Sequence, residues 1–346
     1  MTNTNLLIHI RAKANGSYPV EALLDDGSRF AGGRFQPDMA ALRDATLDPA
    51  AYGEKLFYAL VDGPIRRAYD RALGQAGDGA LRLRLWIDRE AASLHALIWE
   101  RLHHVRQGVT EPLTTSARTP FSRYLDLEQA HIAPIEERPL RLVAALANPT
   151  GLEADYGLPP IDVPGEINTL IEALGELTRA GRLEVTLLPG RTPLPDDLRK
   201  KLKALNWHIA DVNARLDNVL RTLDADKGAH ALHVVAHGAF RSSDGTAVLF
   251  LEDDEGAVTI TPDWDIVKRL NDLAHPPSLV FLAACESAQR APANPNPFVG
   301  LGPKLVQAGV PAVVAMQDKV PVATARELTR DIYRHLLDHG QVDRAL

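Results

Sequence analysis

The chain has 346 residues, of which 45% are hydrophobic and 24% charged, a composition typical of a globular protein rather than a disordered or fibrous one. The formal net charge of −7 argues against a basic surface, so we expect no nucleic-acid binding by this chain. No apolar run approaches the ~20 residues of a transmembrane helix, and the N-terminus lacks the basic leader of a secretory signal. We therefore expect a cytoplasmic protein without membrane contact. Cys285 is the single cysteine, which excludes an internal disulfide and a multi-cysteine zinc site. We expect no metal and no cofactor.

The first half of the chain mixes strand and helix patterns. Short strands are predicted at 6–12 and 20–24, and an apolar stripe predicts a helix over 52–73 that Pro64 interrupts. Residues 81–88 alternate apolar residues with Arg and Trp, which is typical of a half-exposed strand. Residues 108–122 are rich in Thr, Pro and Ser and predict a loop.

The segment 133–139, rich in Pro and Glu, predicts a domain boundary. We expect a smaller first domain at 1–138 and a second domain at 139–346.

Beyond this boundary, strand and helix patterns alternate. Strands are predicted at 140–147, 183–188, 231–236, 279–284 and 312–316. Helices are predicted at 165–179, 195–205, 211–223, 263–273, 299–308 and 323–337, and a hairpin over 247–261 that turns at 253–256. The apolar runs do not alternate with polar residues, which favours an α/β fold with a mostly parallel sheet covered on both faces. In such folds the chemistry lies beyond the carboxyl ends of the strands.

Two predicted strands are followed by reactive side chains. The strand 231–236 runs into His237 and Gly238, and the strand 279–284 runs into Cys285. If the two strands are neighbours, the imidazole can raise the thiolate fraction of a thiol whose ordinary pKa is ~8.5. The N–H groups of Gly238 and Cys285 could then form an oxyanion hole.

Each of these residues also has a structural interpretation. A lone cysteine at the end of an apolar strand is usually an inert, buried hydrophobic residue, and a His-Gly pair is usually a turn. The spacing favours the functional interpretation, because caspase-like nucleophiles follow their histidine by about 50 residues and Cys285 follows His237 by 48. For His233, on the same strand, a packed structural role is favoured.

The motifs around these residues resemble a known family. A His-Gly pair after a strand, followed by a hairpin, a helix and a strand that ends in Ala-Ala-Cys-Glu-Ser, is similar to the CHAT domain, a bacterial family of caspase-like cysteine peptidases of clan CD. The segments LRLVAALANPT, GVPAVVAMQ and RELTRDIYRHLLDHG resemble the family's opening strand, the strand after the nucleophile and a closing helix.

The resemblance implies a caspase-like three-layer sandwich at 139–346, preceded by a non-catalytic, pseudo-caspase-like α/β lobe at 1–138. It implies a thiol protease in which Cys285 attacks the scissile carbonyl, His237 transfers protons, and the Gly238 and Cys285 N–H groups hold the oxyanion. The alternative is a catalytically silent caspase-like module that binds a partner protein.

The resemblance also implies a substrate cleft along the strand after the nucleophile. We expect Met316, Gln317 and Asp318 to contact a protein substrate, with Asp318 as the first candidate to select a basic residue before the cut and Asp244 as the second. The sequence differs from the family after Gln317, where an aromatic or small residue is more common than Asp318, and this weakens the prediction of the pocket. The family further implies activation by a partner, a sensor protein or a segment beyond residue 346, in a bacterial stress or antiviral defence response.

Overall fold

The computed structural model describes residues 4–106, 109–114, 118–119, 121–125, 135–241, 244, 246–283, 301–302, 304–306, 308–315 and 322–340. The chain divides into two compact units, Met1–His131 and Ile132–Ala345. The division lies next to the segment 133–139, in which the sequence predicts a boundary. Among the described residues, no helix combines the length and the apolar character needed to cross a membrane.

The first unit is built on a mixed sheet. Its strands and helices are β1 (Thr4–Ile10), β2 (Tyr18–Leu24), β3 (Arg29–Phe35), α1 (Met39–Asp44), α2 (Pro49–Leu60), α3 (Gly63–Ala76), β4 (Leu81–Ile87), β5 (His103–Arg106), β6 (Val109–Pro112) and β7 (Phe121–Leu125). The sheet order is β3-β2-β1-β4-β7, with β5 and β6 paired separately. Every second residue of β4 is buried, as its alternating sequence predicts.

One prediction for this unit is confirmed and one needs correction. The apolar stripe at 52–73 is interrupted near Pro64 as predicted: α2 ends at Leu60, and Pro64 occupies the first turn of α3, where its missing N–H costs nothing. The segment 108–122, predicted as a loop, contains β6 and the start of β7. These short strands lack alternation, and their pairing with neighbouring strands decides their conformation.

The second unit contains a sheet in which all the pairings are parallel. Its strands are β8 (Leu140–Leu146), β9 (Leu183–Leu188), β10 (His208–Ile209), β11 (Ala231–Val235), β15 (Leu279–Ala283) and β16 (Ala312–Ala315), in the order β10-β9-β8-β11-β15-β16. Its helices are α4 (Leu152–Tyr156), α5 (Val163–Arg179), α6 (Asp196–Ala204), α7 (Leu216–Leu223), α8 (Asp263–Asn271) and α9 (Val322–His339). Residues 301–302 and 304–306 are also helical.

Both faces of this sheet are covered. On one face Leu142, Leu146 and Phe281 pack with residues of α5, α6 and α9, and on the other face Val143 and Val280 pack with residues of α7 and α8. The unit therefore has three layers, and the predicted α/β sandwich with a parallel sheet is confirmed. This arrangement explains why β15 and β16 are wholly apolar and why β8 and β11 each contain a single polar residue.

A small antiparallel sheet follows β11 directly. It consists of β12 (His237–Arg241), β13 (Thr246–Glu252) and β14 (Val258–Pro262). The hairpin of β13 and β14 turns at 253–256 as predicted, where Asp253 Oδ1 accepts the N–H groups of Glu255 and Ala257 at 2.9 and 2.8 Å. The sequence did not predict the strand β12, which begins at His237 and in which His237 pairs with Phe250 of β13.

Candidate active site

The register of β11 and β15 brings the strand before His237 and the strand before Cys285 to the same edge of the sheet. Val235 in β11 pairs with Ala283 in β15, and the two strands are parallel. His237 is the second residue after Val235, and Cys285 is the second residue after Ala283. Cys285 lies outside the described residues, so the thiol–imidazole pair stays a prediction. The adjacency of the two strands on which it depends is confirmed.

The His237 ring is buried and held by a backbone acceptor. The residue is only 3% exposed, and its Nε2 lies 2.8 Å from the carbonyl oxygen of Pro159. A carbonyl oxygen can only accept a hydrogen bond, so Nε2 carries the proton and donates it. In the neutral ring Nδ1 is then the unprotonated nitrogen, which is the one able to act as a base.

The surroundings of His237 favour its neutral form. Burial lowers the pKa of His237 below its ordinary value, because desolvation penalises the imidazolium, and the hydrogen bond to Pro159 opposes this shift only in part. At neutral pH the ring is therefore a free base with a fixed tautomer. This combination suits a group that must take a proton from a thiol.

A buried carboxylate joins three chain segments at the same edge of the sheet. Glu252, the last residue of β13, is fully buried and accepts the Ala214 N–H at 2.7 Å. It also accepts the N–H groups of Arg191, at 3.1 Å, and of Asn148, at 3.4 Å. Burial raises the pKa of Glu252, and the three N–H groups oppose this by stabilising the carboxylate. One side chain thus fixes the segments that follow β8 and β9 and that precede α7.

A family comparison identifies the fold that carries this site. A model of the CHAT domain matches residues 50–346, which is most of the chain. The chain belongs to the CHAT domain family. CHAT domains are caspase-like and belong to clan CD, so the predicted resemblance is confirmed. The match begins inside the first compact unit and therefore includes much of it. No curated protein matches the chain at a significant level.

The strand that precedes the predicted substrate-binding residues lies on the side of β15 opposite β11. There β16 pairs with β15 in parallel, and Ala315 lies opposite Leu282. Met316, Gln317 and Asp318 follow directly but lie outside the described residues, so their contacts stay predictions. The sheet order places β15 between the strand that precedes His237 and the strand that precedes these residues.

The structure separates Asp244 from His237. Asp244 is exposed in the turn between β12 and β13, where its Oδ1 accepts the Thr246 N–H at 3.1 Å. His237 begins β12 at the opposite end, and its distance from Arg241 is about 13 Å at ~3.3 Å per residue. A contact between Asp244 and a substrate residue bound beside His237 would therefore need an extended peptide.

His233 has the packed role that the sequence analysis favoured. It is 2% exposed and stacks on Phe281 with ring centroids 4.5 Å apart. Burial lowers the pKa of His233 to about 3, so it is neutral at physiological pH. Among the residues covered by the structure, no group of three His, Cys, Asp or Glu side chains could hold a metal ion.

Sequence reasoning missed the acceptor of the His237 ring and two residues that join segments at the same edge of the sheet. Pro159, Asn148 and Glu252 lie in three separate segments of the chain. The sequence contained one signal for Glu252, which ends the apolar run AVLFL. A glutamate at a solvated strand end would be unremarkable, but Glu252 is buried and a buried carboxylate requires hydrogen-bond partners. Nothing in the local sequence identifies Pro159 as the acceptor for a histidine 78 positions later.

Proposed function

We propose that this CHAT protein is a cysteine endopeptidase in which Cys285 and His237 form the catalytic dyad. The observation that carries the proposal is the buried, tautomer-fixed imidazole of His237 at the carboxyl end of β11, beside the parallel strand that ends two residues before Cys285.

The chemistry follows from this arrangement. Nδ1 of His237 takes the proton of the Cys285 thiol, and the thiolate forms a bond to the scissile carbonyl carbon. The N–H groups of Gly238 and Cys285 hold the resulting oxyanion. When the carbon–nitrogen bond breaks, the leaving amine receives the proton from His237. Water, deprotonated by the same ring, then hydrolyses the thioester and regenerates the thiol.

The carbonyl of Pro159 has two roles in this mechanism. It keeps the proton on Nε2, so Nδ1 is available to the thiol. It also stabilises the imidazolium that forms when the ring takes up the proton, because an oxygen acceptor interacts more strongly with a charged N–H group. The histidine is therefore prepared for both protonation states that the reaction needs.

The substrate is proposed to be a protein segment in extended conformation. It would pair with the backbone after β16 as an added strand, next to Met316 and Gln317. Asp318 would select a basic residue before the cut, and Asp244 would contact a more distant position. A partner or sensor segment would activate the enzyme in a bacterial stress or antiviral defence response in the cytoplasm, and the lobe at 1–138 would be non-catalytic.

Mass spectrometry of a peptide library incubated with the purified chain tests the proposal. Cleavage is expected from the native chain, and it should be lost in Cys285→Ala and His237→Gln. The exposed His208 provides a matched control, because His208→Gln should leave cleavage unchanged. A preference for Arg or Lys before the cut, lost in Asp318→Asn, would support the role of Asp318.

Alkylation with iodoacetamide separates this proposal from the alternative. If no peptide is cut and Cys285 is also inert to alkylation, the chain is a silent caspase-like binding module. If Cys285 is alkylated readily without cleavage, the thiol is active and the search moves to the activating partner.

A further inference from the structure

The carbonyl of Pro159 can keep its hydrogen bond to His237 only if other contacts fix the loop that contains Pro159. This loop, residues 157–162, connects α4 to α5 without regular structure. Pro159 and Pro160 have no N–H groups, so neither can anchor the loop by donating a hydrogen bond. The nearest backbone donors on either side are those of Leu158 and Ile161, and their hydrogen bonds help to set its position.

The Ile161 N–H makes the decisive contact. It donates to the side-chain oxygen Oδ1 of Asn148 at 2.8 Å, while the Leu158 N–H returns to Leu152 within the preceding turn at 3.2 Å. The first bond reaches outside the loop, to a residue of the sheet edge. The Ile161 side chain is 3% exposed and packs into the core beneath the loop.

Asn148 is itself fixed to the sheet. It is the second residue after β8, the strand that pairs with β11, and the preceding Ala147 N–H donates to the Val235 carbonyl at 2.9 Å. Its own N–H donates to the buried Glu252 carboxylate. The backbone of Asn148 is therefore fixed at the edge of the sheet, while its side chain holds the loop.

We propose that Asn148 is a positioning residue for His237: its amide oxygen holds the Ile161 N–H and thereby keeps the Pro159 carbonyl on Nε2. The bonds form a closed path from β8 through Asn148, Ile161 and Pro159 to His237, which follows the neighbouring strand β11. A shift of the loop would break the hydrogen bond between Nε2 of His237 and the Pro159 carbonyl, and the ring could then change tautomer. The catalytic part of this inference rests on the proposed peptidase function, but the tautomer does not.

Three variants separate the acceptor from other effects. Asn148→Leu has nearly the same size but no acceptor, whereas Asn148→Asp keeps an oxygen toward Ile161. Asn168→Leu is the matched control, because Asn168 is also half-buried but lies in α5, where its amide nitrogen donates to the Pro164 carbonyl. If Asn148→Leu does not fold, Asn148→Ala also lacks the acceptor and replaces it in the test.

The first measurement is the ¹⁵N NMR spectrum of the imidazole rings in the full chain, with the His237 signals assigned by their loss in His237→Gln. We expect the Nε2-protonated tautomer in the native chain, in Asn148→Asp and in Asn168→Leu. In Asn148→Leu we expect a mixture of tautomers or exchange broadening. An unchanged His237 signal in Asn148→Leu would overturn the proposal, as would an Nδ1-protonated ring in the native chain or an equal change in Asn168→Leu.

The second measurement is peptidase kinetics on a substrate found by the library. Misplacement of a catalytic group by about 1 Å costs up to ~10²-fold in rate, so Asn148→Leu should lower kcat about 10- to 100-fold with KM within about twofold. Asn148→Asp should recover most of this loss. If the native chain cuts no peptide and Cys285 is inert to alkylation, the proposed function fails while the NMR result still decides the role of Asn148. If Asn148→Leu retains full kcat, the positioning role is refuted.

Discussion

Replacing Gly190 by alanine tests whether the buried Glu252 carboxylate is fixed in place. Gly190 follows β9 and has a φ of +66°, in the left-handed region. A Cβ atom added there would lie 2.9 Å from both Cδ and Oε2 of Glu252, and closer still to Oε1. Gly181 offers a matched control in the same unit, because it has the same φ of +66° but no heavy atom within 4 Å of an added Cβ.

The difference between the two variants measures the carboxylate contact. A left-handed backbone costs an alanine roughly 1–2 kcal/mol, and both variants carry this cost. At Gly190 the carboxylate must also retreat from the N–H groups of Ala214, Arg191 and Asn148, and the loss of one charge-assisted hydrogen bond costs about 1.5–3 kcal/mol. We expect Gly181→Ala to lose about 1–2 kcal/mol of unfolding free energy and Gly190→Ala about 2.5–5 kcal/mol.

Hydrogen exchange during urea titration provides the assay. Peptides from β8, β11 and β13 report the free energy of unfolding of the second unit separately from that of the first, which a single spectroscopic signal would not. In Gly190→Ala, the amides of Arg191 and Ala214 should also lose protection under native conditions. If the two variants are destabilised equally, within about 0.5 kcal/mol, Glu252 is free to move and the account of this carboxylate is wrong.

Three further predictions concern buried ionisable groups. Because burial lowers the pKa of His237, the acidic limb of a kcat/KM–pH profile should have its midpoint below pH 6.5, and a midpoint above this value would contradict the neutral-base assignment. Burial lowers the pKa of His233 from 6.5 to about 3, so its contribution to stability is complete above pH 6.5 and is lost as the pH falls toward 3. In urea titrations at successive pH values, this group should lower the unfolding free energy of the native chain by up to about 1.4 kcal/mol per pH unit. In His233→Phe this contribution to the pH dependence of the unfolding free energy should be absent. The carboxylate of Asp263 is 1% exposed and lies 2.6 Å from Lys304 Nζ. In a urea titration Asp263→Asn should therefore lower the unfolding free energy by about 2 kcal/mol. The control Asp272→Asn, at an exposed position, should lower it by less than about 0.5 kcal/mol.

The sheet of the second unit was predictable because its strands can be recognised from their own local sequences. The strands β8, β11 and β15 are short and predominantly apolar, and a parallel sheet covered on both faces accommodates several such segments. Their parallel arrangement then places the residues that follow them at one edge. The adjacency of the strands before His237 and Cys285 was only a condition in the sequence analysis, and the pairing of β11 with β15 meets it.

The loops at that edge were not predictable, because their conformation depends on partners that are distant in the chain. The helix predicted over 211–223 begins only at Leu216, although residues 211–215 contain no strong helix breaker. The Ala214 N–H donates instead to the Glu252 carboxylate, 38 positions away, and Ala214 is fully buried. A buried carboxylate requires such donors, and this requirement overrides the local helix propensity.

The same dependence explains why the proposed dyad can be predicted from the sequence while the tautomer of its histidine cannot. Strand ends bring His237 and the strand before Cys285 together, but the nitrogen that can accept a proton is decided by Pro159, and the place of Pro159 depends on Asn148. Asn148 in turn shares the Glu252 carboxylate with the segments after β9 and before α7. A substitution at Gly190 therefore has a physical route to the imidazole through Glu252 and Asn148, even though Gly190 has no part in the chemistry. If this route operates, Gly190→Ala should disturb the His237 tautomer in the same direction as Asn148→Leu, and Gly181→Ala should not.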